Sequence, residues 1–149
     1  MDSFTLAGST GALTVQLEEV YGFPDQTSPF GGYDARSRLR LRSHGFSVDS
    51  VLWLSTGEVF AFYQQLRAAQ AQLAGVARFA SGAGNLSFAL AYLPLGQVAL
   101  TGAYREHTFE ANRLTFEIAS DQSYLHRSLS ELAAWVAHYG DAAGTRRPA

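Results

Sequence analysis

The chain contains no cysteine and no lysine; all 11 basic residues are arginine. Without thiols there are no disulfides, no thiolate nucleophiles and no sulfur-ligated metal sites, and the expected compartment is the reducing cytoplasm. Arginine without lysine, alongside abundant alanine and glycine, is the mark of GC-rich coding and bears on origin, not chemistry. Long hydrophobic runs are also missing. No stretch approaches the roughly 18–20 apolar residues of a membrane-spanning helix. The opening MDSFTLAGST lacks the basic-then-apolar order of a secretory leader, so neither membrane insertion nor export by that route is expected. A basic excess is absent as well: the net charge is -2, which gives no general attraction to a phosphate backbone, and nucleic acid is not an expected partner.

What is present is 149 residues with 47% hydrophobic and only 16% charged side chains, a composition that folds around one core. One domain is expected over residues 1–140, with the end, DAAGTRRPA at 141–149, as a disordered tail. Two amphipathic helices stand out. Ser55-Thr56-Gly57-Glu58 has the spacing of a capping box, and Val59, Phe62, Tyr63, Leu66 and Leu73 recur on one face, with Gly75 positioned to end the helix. This helix is expected over about residues 56–74. A second follows Asp121 over about residues 121–139, carrying Leu125, Leu129, Leu132, Val136 and Tyr139 as its stripe and Gly140 at its end.

The remainder alternates as strands do. With His44-Gly45 as a two-residue turn, Ser43, Leu41, Leu39 and Ser37 face Phe46, Val48, Ser50 and Leu52; on the other side Arg42, Arg40, Arg38 and Arg36 face Ser47, Asp49, Val51 and Trp53. That register makes one face largely apolar and offers an Arg40–Asp49 charge pair and an Arg36–Trp53 cation–π pair; a one-residue slip destroys both. A second hairpin closes through Pro94-Leu95-Gly96, pairing Tyr92, Leu90, Phe88 and Leu86 with Val98, Leu100, Gly102 and Tyr104. Leu114, Phe116 and Ile118 mark a late strand and Leu13, Val15 and Leu17 an early one. The fold class is therefore α+β: an antiparallel β-meander of about six or seven strands with two helices packed on one face. No internal repeat is visible in the residues.

Chemistry is sparse. His44, His107, His126 and His138 form no HxxxH or HExxH pattern, and no GxSxG elbow or P-loop occurs, so no metal, cofactor or catalytic site is expected. Ser81-Gly82-Ala83-Gly84-Asn85 joins two strands and opens no helix, the position of a hairpin loop and not of a phosphate cradle. Glu106 beside His107, with Glu110 close by, is the nearest approach to acid–base machinery, and an enzyme would have to work through Glu106, His107 and Asp121. The stronger candidates are binding features. Arg36, Arg38, Arg40 and Arg42 line one side of a strand, either as a solvated outer face or as a grip on acidic groups. Trp53 lies opposite, and the Pro- and Gly-rich loop at 20–34 carries Tyr21, Phe23, Phe30 and Tyr33, residue types favoured at protein contacts, of which two can instead pack under the loop.

Several segments carry a resemblance. Glu58 to Leu66 (EVFAFYQQL), Gly84 to Phe88 (GNLSF), Asn112 to Glu117 (NRLTFE) and Asp121 to Leu125 (DQSYL) resemble the WapI family of small bacterial immunity proteins, over roughly residues 33–139. The resemblance implies a non-enzymatic cytoplasmic protein whose partner is the C-terminal domain of a toxin, which it binds and neutralises. The candidate contacts are then the arginine stripe, Trp53 and the loop aromatics. An alternative from another class is a small-molecule pocket between sheet and helices, lined by Phe88, Tyr92, Tyr104 and Trp135.

Overall fold

Alternation along the chain becomes strands with two different environments. In a computed structural model that describes residues 2–107 and 112–145, Ala35, Ser37, Leu39, Leu41 and Ser43 are buried on one side of a strand while Arg36, Arg38, Arg40 and Arg42 stand on the other. Eight such strands form among the described residues: β1 (Ser3–Ala7), β2 (Gly11–Val20), β3 (Asp34–Ser43), β4 (Phe46–Ser55), β5 (Val76–Ala80), β6 (Leu86–Tyr92), β7 (Gln97–Arg105) and β8 (Arg113–Asp121). Helix α1 (Thr56–Gln72) follows β4, and α2 (Leu125–Tyr139) follows β8. The fold is α+β, but the strands make two four-stranded antiparallel meanders, β1-β2-β3-β4 and β5-β6-β7-β8, in place of one meander of six or seven.

Both expected hairpin registers are present pair for pair, Ser43 opposite Phe46 through Arg36 opposite Trp53, and Tyr92 opposite Val98 through Leu86 opposite Tyr104. Turn length fixes these registers locally, because a side-chain period of two leaves no intermediate setting. The β1–β2 turn runs close against β8: Ser9 N–H donates to Ala119 O at 2.8 Å, and a Cβ on Gly8 would lie 2.2 Å from that same oxygen, so only glycine fits there.

The helix ends differ in detail from expectation. The capping box at Ser55 and Glu58 is formed in both directions. The left-handed C-cap is Leu73 (φ 52°, ψ 36°), and not Gly75, which turns the chain into β5 instead. At the second helix, Gln122–Tyr124 form a 3-10 turn, with the Asp121 carboxylate accepting from Ser123 N–H at 2.8 Å, before α2 begins at Leu125. The buried stripe of α2 is Leu125, Ser128, Leu132, Trp135 and Tyr139; Leu129 and Val136 lie at its margin.

The two sheets and both helices share one core. Phe4 of β1 meets Phe62 of α1 (ring centroids 6.4 Å apart) and Trp135 of α2 (5.5 Å), and Phe62 in turn meets Phe79 of β5 (6.3 Å) and Phe88 of β6 (5.0 Å). Three of these contacts are edge-to-face, a geometry that stabilises by about 0.5–1.5 kcal/mol per pair beyond the buried area. Residues 141–145, within the segment expected to be disordered, fold back on the loop before β3: Gly32 N–H donates to Ala142 O (2.8 Å) and Thr145 N–H to the Tyr33 hydroxyl (3.0 Å). Among the described residues no helix is long and apolar enough to cross a membrane.

Candidate functional site

The loop between β2 and β3 is pinned to the start of α1. Gly57 N–H donates to Gly31 O (3.1 Å), Tyr33 N–H to the Thr56 hydroxyl (2.8 Å), and Thr56 N–H to Tyr33 O (2.8 Å). A side chain at Gly57 would collide with the Gly31 backbone, since its Cβ would lie 2.4 Å from the Gly31 carbonyl carbon. This close docking sorts the four loop aromatics into two pairs. Tyr33 is fully buried, its hydroxyl donating to Pro24 O at 2.8 Å, and Phe23 packs edge-on against Tyr33 (5.2 Å), Tyr139 (5.3 Å) and His138 (5.7 Å). These two secure the loop.

Tyr21 and Phe30 make other contacts and keep exposed ring surface, as Phe23 also does. Tyr21 stacks on Trp53 with centroids 6.3 Å apart and planes 24° from parallel, and the Phe30 ring lies directly on Gly82, where a Cβ would come within 2.5 Å of its carbons. Phe30 is 58% exposed and Trp53 46%, large fractions for rings of this size. Together with Asp34, Leu54, Glu58 and Ala83 they line an open cleft of about 310 Å³. Sequence reasoning missed Asp34, Glu58, Gly82 and Ala83 as members of this site. One signal was available: a capping-box glutamate points back past the helix start, toward the end of β4 where Trp53 sits.

Glu58 serves two neighbours at once. Its Oε1 accepts from Ser55 N–H at 2.7 Å and its Oε2 accepts from Gly82 N–H, tying the β5–β6 turn to the helix start. Burial raises its pKa above the ordinary carboxylate value and the charge of Asp34 adds to this, while the Ser55 and Gly82 amides pull the other way. Asp34 accepts from the Ser28 hydroxyl at 2.6 Å. Neither carboxylate has an arginine partner among the described residues.

The arginine stripe runs away from this cleft along β3 and is largely offset. A register shift between Leu17 and Glu19 brings two carboxylates to one arginine, placing Glu18 at 4.0 Å and Glu19 at 3.7 Å from Arg36. Arg36 thus turns to acids, while Trp53 stacks on Tyr21; the expected Arg36–Trp53 cation–π pair does not form, and an arginine over a ring among the described residues is Arg67 above Tyr63 at 5.8 Å. Asp49 sits opposite Arg40 as expected, yet its short contact is the diagonal one to Arg38 (2.5 Å), with Arg40 at 3.9 Å. The hydrogen bond from Arg38 holds the Asp49 carboxyl below its usual range. Arg42 has no acidic partner among the described residues and is exposed. Such exposed pairs contribute little stability, so the stripe orders charge on a surface and does not brace the fold.

The other two constellations are taken apart. Asp121 lies at one end of the β7–β8 ladder, opposite Gln97, while Glu106 and His107 follow Arg105 at the other end, roughly 26 Å away at about 3.3 Å per residue. No triad of Glu106, His107 and Asp121 exists; Glu110 lies outside the described residues. Nor do Phe88, Tyr92, Tyr104 and Trp135 surround a cavity. Phe88 stacks on Phe79, Trp135 meets Phe4 and Tyr139, the Tyr92 hydroxyl donates to Gln70, and the Tyr104 hydroxyl donates to Val51 O at 3.1 Å. These rings are spread over separate contacts and do not converge on one pocket; Tyr104 lines an open cleft with Asp49, Glu106 and Arg113 instead.

Comparison with known families decides the affiliation. The immunity protein WapI-like family matches residues 5–140, nearly the whole chain. The chain belongs to this family. The match extends beyond the 33–139 stretch of resemblance to take in β1, β2 and the aromatic loop, so the cleft built from Tyr21 and Phe30 lies within the WapI-like unit. Searches of curated proteins and of solved structures return no match.

Proposed function

We propose that this WapI-like chain is a non-enzymatic immunity protein acting in the cytoplasm, which binds a toxin domain and neutralises it by covering its working surface. The observation that carries this reading, given the family, is the exposed aromatic cleft of Tyr21, Phe30 and Trp53 at one end of the arginine-bearing face of β3. Anchors of this kind dominate protein–protein affinity: a few aromatic and arginine side chains at the centre of a contact each contribute about 2 kcal/mol or more on truncation. The outer face of β3 adds alternating charge, Arg36 and Arg38 beside Glu18, Glu19 and Asp49, with Arg42 open, a pattern that fixes orientation and partner choice more than raw affinity.

The test uses the tagged full chain as bait in its native host, followed by co-expression of any captured toxin domain with the bait. Wild type is expected to capture one toxin and to restore growth when that toxin is expressed. Trp53→Ala is expected to weaken capture by roughly 30-fold, equivalent to about 2 kcal/mol. The double reversal Arg38→Glu with Arg40→Glu is expected to slow association and reduce rescue. Full capture and full rescue by both variants, with folding confirmed by circular dichroism, would remove this face from the contact.

A further inference from the structure

We propose that the Tyr21–Phe30–Trp53 cleft seats an arginine side chain of the partner protein, its guanidinium held against the ring faces and beside the carboxylates of Asp34 and Glu58. This deepens the toxin-binding reading and rests on it for the identity of the partner. The lining itself selects the occupant. Three aromatic rings line one small volume, and aromatic rings attract cations to their faces. Two carboxylates border the same volume, close enough that the charge of Asp34 bears on Glu58, and no arginine of this chain pairs with either among the described residues. The nearest arginine on the adjoining strand, Arg36, which faces Trp53 across the ladder, is already engaged by Glu18 and Glu19.

Other occupants fit less well. A phosphate or carboxylate would meet two negative charges, and an apolar side chain could pack on the rings but would strip water from Asp34 and Glu58 without pairing them. A small molecule would find about 310 Å³, open to solvent and at the low end of ligand pockets, but ample for one side chain. Between the two cationic side chains, the guanidinium is the better match: it is planar, more weakly hydrated than an ammonium, stacks on rings and offers paired donors to carboxylates. The carboxylates are pre-positioned, since Asp34 is held by the Ser28 hydroxyl (2.6 Å) and Glu58 by two backbone amides. Little ordering remains to be done on binding.

The test uses the full chain labelled with 5-fluorotryptophan, whose two resonances report Trp53 and the buried Trp135 and are assigned with Trp53→Phe. The probe is Nα-acetyl-arginine methylamide, and its neutral isostere Nα-acetyl-citrulline methylamide is the control. The arginine probe is expected to shift the Trp53 signal saturably, with a Kd on the order of 1–10 mM, and to leave Trp135 unmoved. The citrulline probe is expected to bind at least about tenfold more weakly, and Asp34→Asn, which keeps the acceptor for Ser28, to weaken the arginine probe about fivefold. Glu58→Gln retains a capping-box residue and is expected to act in the same direction. Equal shifts from arginine and citrulline, no shift at 100 mM probe, or indifference to both substitutions would each overturn the assignment. Capture of the toxin by wild type separates the two readings: probe failure with toxin capture intact removes the arginine seat and leaves the immunity function standing, while probe binding without any toxin partner does the reverse.

Discussion

On the inner face of β3, Ser37 stands opposite Leu52 with no exposure, and its Oγ makes no hydrogen bond. A buried hydroxyl without a partner costs its desolvation. Ser37→Ala removes that group and almost no volume, so it is expected to stabilise the protein by about 0.5–1 kcal/mol in urea denaturation. A loss of 1 kcal/mol or more would mean the hydroxyl is satisfied in solution. The same scale shows what single residues disclosed in advance. The grouping of Arg36, Arg38, Arg40 and Arg42 on one side and the placement of Asp49 followed from alternation and a two-residue turn, both strictly local rules. The attachment of Arg36 to Glu18 and Glu19 did not, because the bulge between Leu17 and Glu19 breaks the alternation on which any such reading depends. Glu58 was legible as a capping residue, since its partner is three positions away. Its bond to Gly82, 24 residues on, is set by how the β5–β6 turn folds back, and that removed half of the cleft from view.

Helices do more here than bury a stripe, because each also closes a sheet edge. Gln65 of α1 accepts from Arg78 N–H at 3.0 Å and donates to Arg78 O at 3.4 Å, at the outer edge of β5. On β1, the other first strand, Thr5 N–H donates to Glu131 Oε1 at 3.0 Å while Thr5 O accepts from the Ser128 hydroxyl at 2.6 Å, both from α2. Unpaired edges invite association with other strands, and here side chains supply the missing ladder partners. Ser128 is therefore buried where periodicity pointed to Leu129: the hydroxyl is needed at the edge, and no count of apolar residues reveals it. Gln65→Ala is expected to lower stability by about 0.5–1.5 kcal/mol. Native-state exchange of the Arg78 amide should accelerate about tenfold or more beyond that of the Phe79 amide, which faces β6. Uniform acceleration of both amides would show that the glutamine braces the whole strand instead of capping one residue.

Taken whole, the described residues form four strands and a helix, twice over, with no matching repeat in the sequence. Neither half is complete alone, because α1 leaves the first sheet to lie against β5 of the second, and α2 leaves the second to lie against β1 of the first. Hairpin patterns specify register within each pair of strands, but nothing in them says that α1 divides the strands into two sheets, which is why one shorter meander was the natural expectation. The exchange of helices puts Phe62 at the crossing point, in ring contact with Phe4 of one sheet and with Phe79 and Phe88 of the other. Phe62→Ala should therefore destabilise both halves together, by about 3–5 kcal/mol, through lost burial and an unfilled cavity. Hydrogen exchange is the measurement: amides of β2–β3 and of β6–β7 are expected to lose protection by the same factor, and global unfolding to stay a single transition with a lower midpoint. Loss confined to β5–β8 would mean that α1 belongs energetically to the second sheet alone. The first sheet would then have to stand on α2 and Phe4, and the aromatic bridge would join two cores that fold separately.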